Sequence, residues 1–385
     1  MTGAYAPEFS AGGLQCQAVA GALKGRANFT VLTTATDSTL LPRERVEGVV
    51  VHRVAVVHGG RWSAVVAIIR MAIQLVRLLP SADLVHIQGF SSKNILISAM
   101  ARLFSRPVIV HLQTAKHDEP AAVRAQGRLA WWAFTSAKKY LSVSPGLTQP
   151  WLDAGLAAAQ FREVPNGVDA FRFLPAAAAE RQALRRRLHL PEDRPLVLFV
   201  GVMMPDKQPH VLFDAWLEMR RATGLTSTLV FVGASNPKLY ELADRLAERV
   251  RASADASGVG ADVLFVPPTN QVEDYFRAAD VFVMPSIREG LPIVLLEAMA
   301  CGLPVVASRL PGSTDTMIEP ETNGLLVTAG DVAGFAAALT RLLSNPGEAA
   351  RLGAAARQTV EARYTIERVA EQWLDAYQEV LSRRP

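Results

Sequence analysis

Cysteine is scarce in this chain. Only Cys16 and Cys301 occur among 385 residues, too few and too far apart for a disulfide framework or a zinc-ligand spacing. Nothing else calls for an oxidising compartment, so free thiols in a cytoplasmic protein are expected. No Asp/His cluster at metal-ligand spacing is present either. A dense Lys/Arg stripe is also missing. The net charge is +4, which allows a mild pull toward anionic small molecules and lacks the footprint of a nucleic-acid binder. Neither "FVGVMMPDK" nor "FVGASNPK" carries the fingerprint G-x-G-x-x-G, which argues against a nicotinamide dehydrogenase. The start, "MTGAYAPEFSAGG", has no basic segment leading into an apolar core, so no secretory signal is read there.

Long uncharged hydrophobic runs are lacking as well. The nearest is "RWSAVVAIIRMAIQLVRLLP", residues 61–80, which Arg70 and Arg77 interrupt. With Ser63 and Gln74 they fall on one narrow face at helical spacing, leaving a broad apolar surface opposite. The stretch reads as a helix packed on a sheet with its arginine edge in water. Docking on an anionic bilayer is the alternative.

What is present is an alternation. Half of the residues are hydrophobic and 20% charged, a globular composition at a length that suits two domains. Strand candidates "FTVLTT", "VVVHRVAVV", "DLVHIQ", "PVIVHLQ" and "KYLSV" occupy the first part. "LVLFVG", "TLVFVG", "DVLFV", "DVFVMP", "LPVVAS" and "GLLV" occupy the second, with helix-length segments between them. Continuous apolar strands with helical crossovers predict an α/β protein of two doubly wound, Rossmann-like parallel sheets. Turn residues in "VPNGVDAFRFLP", residues 164–175, place the boundary. The expected division is 1–168, 169–363 and a last helical segment 364–385. In that segment Ile366, Val369, Trp373 and Tyr377 recur at helical spacing and want a surface to cover, such as the first domain. The run Arg185, Arg186, Arg187 reads as a solvated helix face.

Ligands of doubly wound sheets bind outside the C-terminal strand ends. In "DVFVMPSIREGLPIVLLEAMACG" the strand is followed by a loop carrying Glu289, then by a helix with Pro292 in its first turn and Gly302 past its end. The backbone N–H groups of Gly290 and Leu291, at the helix start, favour an anion. Glu297, a turn and a half further on, is surrounded by Leu295, Leu296, Ala298 and Met299. A carboxylate desolvated there costs several kcal/mol unless hydrogen-bonded. A diol matches its two oxygens.

The pair Glu289 and Glu297 inside "EGLPIVLLEAMACGLPVVAS" resembles the donor-site signature of the GT4 family of retaining glycosyltransferases, enzymes of the GT-B fold. The similarity extends to "PEFSAGGLQ" as a glycine turn, "PNGVD" as an interdomain segment and "GVMMPDKQPH" as a phosphate loop. The resemblance implies two Rossmann-like domains facing each other across a cleft, the last helix crossing back to the first. It implies that Glu289 approaches hydroxyls of the donor sugar, that Glu297 holds the ribose diol and that Lys207 neutralises the diphosphate. Gly12 and Gly13 either start the helix "LQCQAVAGAL" or let the backbone approach a phosphate.

Three departures accompany the match. Val202 stands where the family's phosphate loop usually has arginine. Gln88 and Gln113 stand where the acceptor domain often has histidine, with His86 and His111 two residues earlier on the same strand faces. Gln113 can position a hydroxyl but cannot be a general base. His86 and His111 read first as satisfied core histidines deeper in the sheet, and Gln88, His111 and Gln113 are the acceptor-side candidates. Only "TGAYAPE" precedes the glycine turn, so the family's first strand is expected to be missing, exposing its two neighbours' edges.

The implied reaction moves a sugar from a nucleotide diphosphate sugar to an acceptor hydroxyl with retention. No cofactor or metal is required, and closure about residues 165–175 would exclude water. Paired glycosidase carboxylates lie about 5 Å apart across a scissile bond, which suits this spacing less well. A nucleotide-sugar epimerase and a non-catalytic nucleotide-sugar-binding protein are the alternatives. The acceptor is a glycan, a lipid-linked sugar or a small molecule, with peripheral membrane contact as an option. The base loop near "VPPTNQ", residues 266–271, leaves the nucleobase unspecified.

Overall fold

The computed structural model describes residues 1–8, 10–56, 60–233 and 241–382. Phe9 of the glycine-turn segment, Val57 of the second strand candidate and most of "FVGASNPK" lie outside them. The chain divides into two compact units, Met1–Gly167 with Ile366–Pro385, and Val168–Thr365.

The first unit holds β1 (Thr30–Ala35), β2 (Arg43–Val46), β3 (Val49–Ala55), β4 (Val85–Gln88), β5 (Val108–Leu112), β6 (Lys139–Ser142) and β7 (Phe161–Glu163). β4, β5, β6 and β7 form a parallel sheet in that order, and β1, β3 and β2 form a second. The β2–β3 pair is antiparallel, an exception to the all-parallel expectation. Its connection, Glu47–Gly48, has φ of 49° and 86°, the positive pair that a two-residue hairpin with right-handed strand twist requires.

The expected pair of open edges is corrected in part. The Met1 amine donates to the His86 carbonyl at 2.7 Å. Gln88 N–H donates to the Met1 carbonyl at 2.9 Å, and Thr2 N–H to the Leu32 carbonyl at 3.3 Å. Met1 and Thr2 thus bridge β1 and β4 through backbone hydrogen bonds.

The helix Ile366–Ser382 belongs to this unit and packs Val369, Trp373 and Tyr377 against Val19, Leu23, Ile109 and Leu141. Its apolar stripe is the every-three-or-four pattern seen in the sequence. The helix Gly60–Leu78 behaves differently. Met71 and Leu75 are buried, while Trp62, Val65, Val66, Ile69, Ile73 and Val76 are exposed. The broad apolar face therefore does not pack on the sheet. The side that does carries Gln74, which lies near His52 of β3.

The second unit is one six-stranded parallel sheet of β8 (Leu196–Val200), β9 (Thr228–Val232), β10 (Val263–Val266), β11 (Val281–Met284), β12 (Val305–Ser308) and β13 (Leu325–Val327). The order is β10-β9-β8-β11-β12-β13. Chain order runs one way from β8 and the other way from β11, so the topological switch point lies between these two strands. The sheet is almost wholly apolar, with Val197, Phe231 and Val283 in one core with Trp216 and Phe335.

Arg185 corrects the reading of the basic run. It is buried and donates to the carbonyls of Ala278 and Arg194 and to Asp280 Oδ2, the last at 2.6 Å. Arg186 and Arg187 are exposed partners of Glu192 and Asp274. One of three arginines pins the helix Ala178–Arg187 to its unit, since a buried guanidinium needs paired acceptors.

Candidate functional site

The two loops that leave the switch point are joined to each other. β8 and β11 run side by side, Val197 against Val281 and Leu198 against Phe282, so their following loops emerge together. Ile287 N–H donates to the Asp206 carbonyl at 2.9 Å, and Arg288 Nη2 to Asp206 Oδ2 at 3.1 Å. Between them Lys207 Nζ donates to Glu289 Oε1 at 2.7 Å. Side-chain exposure is 32% for Lys207 and 12% for Glu289, so the pair faces a partly open region. Such a pair stabilises by about 1 kcal/mol or less. Its chemical interest is that an incoming anion would compete with Glu289 for Nζ.

The helix after this loop is Ile293–Ala300, with extended Pro292 as its N-cap. It starts one residue later than the sequence suggested. Gly290 and Leu291 lie in the loop just before the cap.

Glu297 lies between buried Leu296 and Ala298 and keeps only a rim of exposed surface. Burial pushes its carboxyl up to about 8. The neighbouring Arg172 pulls it down and Glu273 pushes it up. Arg172 is held by Glu273 Oε2 at 2.8 Å and by the Asn270 carbonyl of the base-loop segment at 2.9 Å. No hydrogen bond from a described residue reaches the Glu297 carboxyl. Arg172 and Glu273 are thus site residues that sequence reasoning missed. Their only signal was the place of Arg172 in the boundary segment "VDAFRFLP", because more than a hundred residues separate the two in sequence and only folding pairs them.

The other candidates belong to the first unit. Gly12 and Gly13 lie in the first turn of the helix Ala11–Ala22, and Gly13 N–H already donates to the Ser10 cap hydroxyl. A Cβ on Gly13 would stand 2.3 Å from the Ala4 carbonyl oxygen, and one on Gly12 would stand 3.1 Å from Gln88 Cβ. Close packing therefore accounts for Gly13 without a phosphate.

Gln113 Nε2 donates to Gln88 Oε1 at 2.8 Å. Gln88 Nε2 meets His86 Nε2 at 3.2 Å, and His86 Nδ1 meets the Tyr377 hydroxyl at 2.7 Å. The two glutamines and His86 are one polar chain at the ends of β4 and β5.

His111 takes the core reading of the two. It is 1% exposed and lies under Trp373 with ring centroids 5.3 Å apart. Burial pushes its imidazole down to about 4, so it is neutral and closed to an acceptor. The Val164 backbone lies near it but outside hydrogen-bonding geometry.

Known proteins extend this picture. Residues 12–167 match the profile of the glycosyl transferase 4-like domain, and residues 180–359 that of glycosyl transferases group 1. Among curated relatives, the D-inositol 3-phosphate glycosyltransferase of Xylanimonas cellulosilytica is 37% identical over 227 residues, 58% of this chain and 52% of that protein. The chain belongs to the GT4 glycosyltransferase family.

This GT4 chain spans about half the length of the curated relatives it matches. Its fold is GT-B, built of two Rossmann-like units. Sucrose-phosphate synthase from Thermosynechococcus elongatus matches 97% of this chain with 94% of its own, at a TM-score of 0.80 and 23% identity. Anabaena HepE in complex with UDP-glucose matches 98% of this chain with 98% of its own, at a TM-score of 0.79 and 18% identity.

Among the described residues of the GT4 chain, no three His, Cys, Asp or Glu side chains converge as a metal site. Both cysteines are free and buried. No described helix is long and apolar enough to cross a membrane.

Proposed function

We propose that this chain transfers a sugar from a nucleotide diphosphate sugar to an acceptor hydroxyl, with retention at the anomeric carbon. The observation that carries the reading is the ion pair of Lys207 with Glu289 at the β8/β11 switch point, with Glu297 further along the helix that follows.

A diphosphate taking Nζ of Lys207 frees the Glu289 carboxylate to accept hydrogen bonds from sugar hydroxyls. The ribose diol gives Glu297 the donors that no described side chain supplies. Gly12 and Gly13 keep only the family resemblance for a phosphate role, since Gly13 N–H is used by Ser10 and its missing side chain by packing on the Ala4 carbonyl.

In the reaction the bond from the anomeric carbon to the phosphate oxygen breaks, and the electron pair leaves with the nucleotide diphosphate. The acceptor oxygen bonds to the same carbon from the leaving-group face. Its proton passes to the departing phosphate. Lys207 and the amides of Gly290 and Leu291 are assigned to the charge on that leaving oxygen, where preorganised donors act most strongly. We assign no cofactor and no metal to the step. Gln88 and Gln113 are assigned to positioning the acceptor hydroxyl.

HepE binds UDP-glucose, which makes a uridine diphosphate sugar the first donor to try. A phosphorylated polyol, after the name of the curated relatives, joins glycan and lipid-linked acceptors in the panel. The test is NMR analysis of the product formed from donor and acceptor, with donor alone as control. A product with the donor's anomeric configuration supports the proposal. An inverted product overturns it, conversion of the donor alone makes the protein an epimerase, and binding without turnover makes it a binding protein.

A further inference from the structure

The helix Gly60–Leu78 presents a face that the proposed chemistry does not use. At about 100° per residue, Trp62, Val65, Val66, Ile69, Ile73 and Val76 fall within an arc of about 100°, and Arg70 and Arg77 within the next 40° or so. All eight are exposed, Trp62 to 82%. Met71 and Leu75, on the opposite side, are the buried ones, although Ile68 beside Leu75 is exposed as well.

The helix packs against Lys93–Leu103, which packs against Arg128–Thr135. These neighbours add exposed Leu103, Leu129 and Trp132. Arg102, Arg124 and Arg128 are exposed beside them. Neither these three helices nor the short helix Pro120–Ala125 contains an Asp or a Glu.

We propose that this face docks on an anionic lipid bilayer, the helix Gly60–Leu78 lying in the plane of the interface. Its apolar arc would enter the acyl boundary, with Trp62 at the headgroup level. The arginines at its rim would meet lipid phosphates, the arrangement of an interfacial amphipathic helix. Charge decides against a second copy of this chain. A two-fold contact sets the same patch against itself, which would bring arginine rims together with no carboxylate on these helices to pair them.

The test is co-sedimentation of the full chain with phosphatidylcholine vesicles, with and without phosphatidylglycerol, at low and high salt. Binding should need the anionic lipid and weaken with salt. Arg70→Gln and Arg77→Gln should each weaken it about fivefold. Ile69→Glu and Ile73→Glu should each weaken it about tenfold or more, since each removes a buried isoleucine. Far-UV dichroism and melting check that these surface variants remain folded.

Equal sedimentation with neutral vesicles, none with either kind, or indifference to the Ile69 and Ile73 substitutions would overturn the proposal. So would a dimer in light scattering that Ile69→Glu converts to monomer.

Discussion

Replacing Glu297 with Gln keeps the side chain's shape and removes its titration. In the folded protein burial holds this carboxyl at about 8 against an ordinary 4.5. Between those values the unfolded chain has released the proton that the native chain retains, so the native state binds more protons. Stability must then fall as pH rises from about 4.5 to about 8 and level off above, the reverse of a salt-bridged carboxylate. At 1.36 kcal/mol per unit, a rise of about 3.5 units sets a ceiling of about 5 kcal/mol. The rim of exposure and the nearby Arg172 make about 2–3 kcal/mol the expected loss at effective dielectrics of partly buried sites.

The assay is urea unfolding of both proteins, followed by far-UV dichroism from about pH 5 to about pH 9. The glutamine variant should gain on the wild type progressively across that range. Parallel pH profiles would refute the reasoning, because they would mean that Glu297 is solvated in the native state.

Three further outcomes follow from the geometry. Glu289→Ala removes the carboxylate from Lys207 and should leave nucleotide binding intact or tighter while transfer falls by about a hundredfold, as for a group serving the transition state; calorimetry beside a turnover assay separates the two effects. Gly13→Ala sets a methyl against the Ala4 carbonyl and should cost about 1–3 kcal/mol by overpacking, read as a lowered melting temperature. Trp373→Ala empties the space under the last helix and should cost about 3–5 kcal/mol, with hydrogen exchange rising in Ile366–Ser382 and β5 ahead of β11.

Much of the fold was legible because fully buried parallel strands need continuous apolar runs. All six strands of the second unit come from such runs, Leu196–Val200 being the plainest. β2 escaped because "RERV" is a charged edge strand, and β7 because three residues show no periodicity. The helix Gly60–Leu78 was read inside out. Periodicity marks two faces of a helix but does not say which one meets the sheet, and here Gln74 lies near His52 of β3 while Ile69 is exposed.

At the site, Glu289 and Glu297 were legible as one local pattern with a shared helix. Arg172 and Glu273 were not, since what makes them part of the site is that folding brings their charges near Glu297. His111 was legible as a core histidine behind Gln113, and Trp373 closes over it. That neither ring nitrogen has a hydrogen-bond partner among the described residues was not legible.

The measurement that tests the central claim most directly is calorimetric titration of the full chain with UDP, GDP and ADP, repeated with Lys207→Ala and Glu297→Ala. The account predicts binding of one nucleotide that both substitutions weaken strongly, Lys207→Ala through the diphosphate and Glu297→Ala through the ribose. Wild-type affinity in both variants would contradict it, because the nucleotide would then be held by neither group at the β8/β11 switch point.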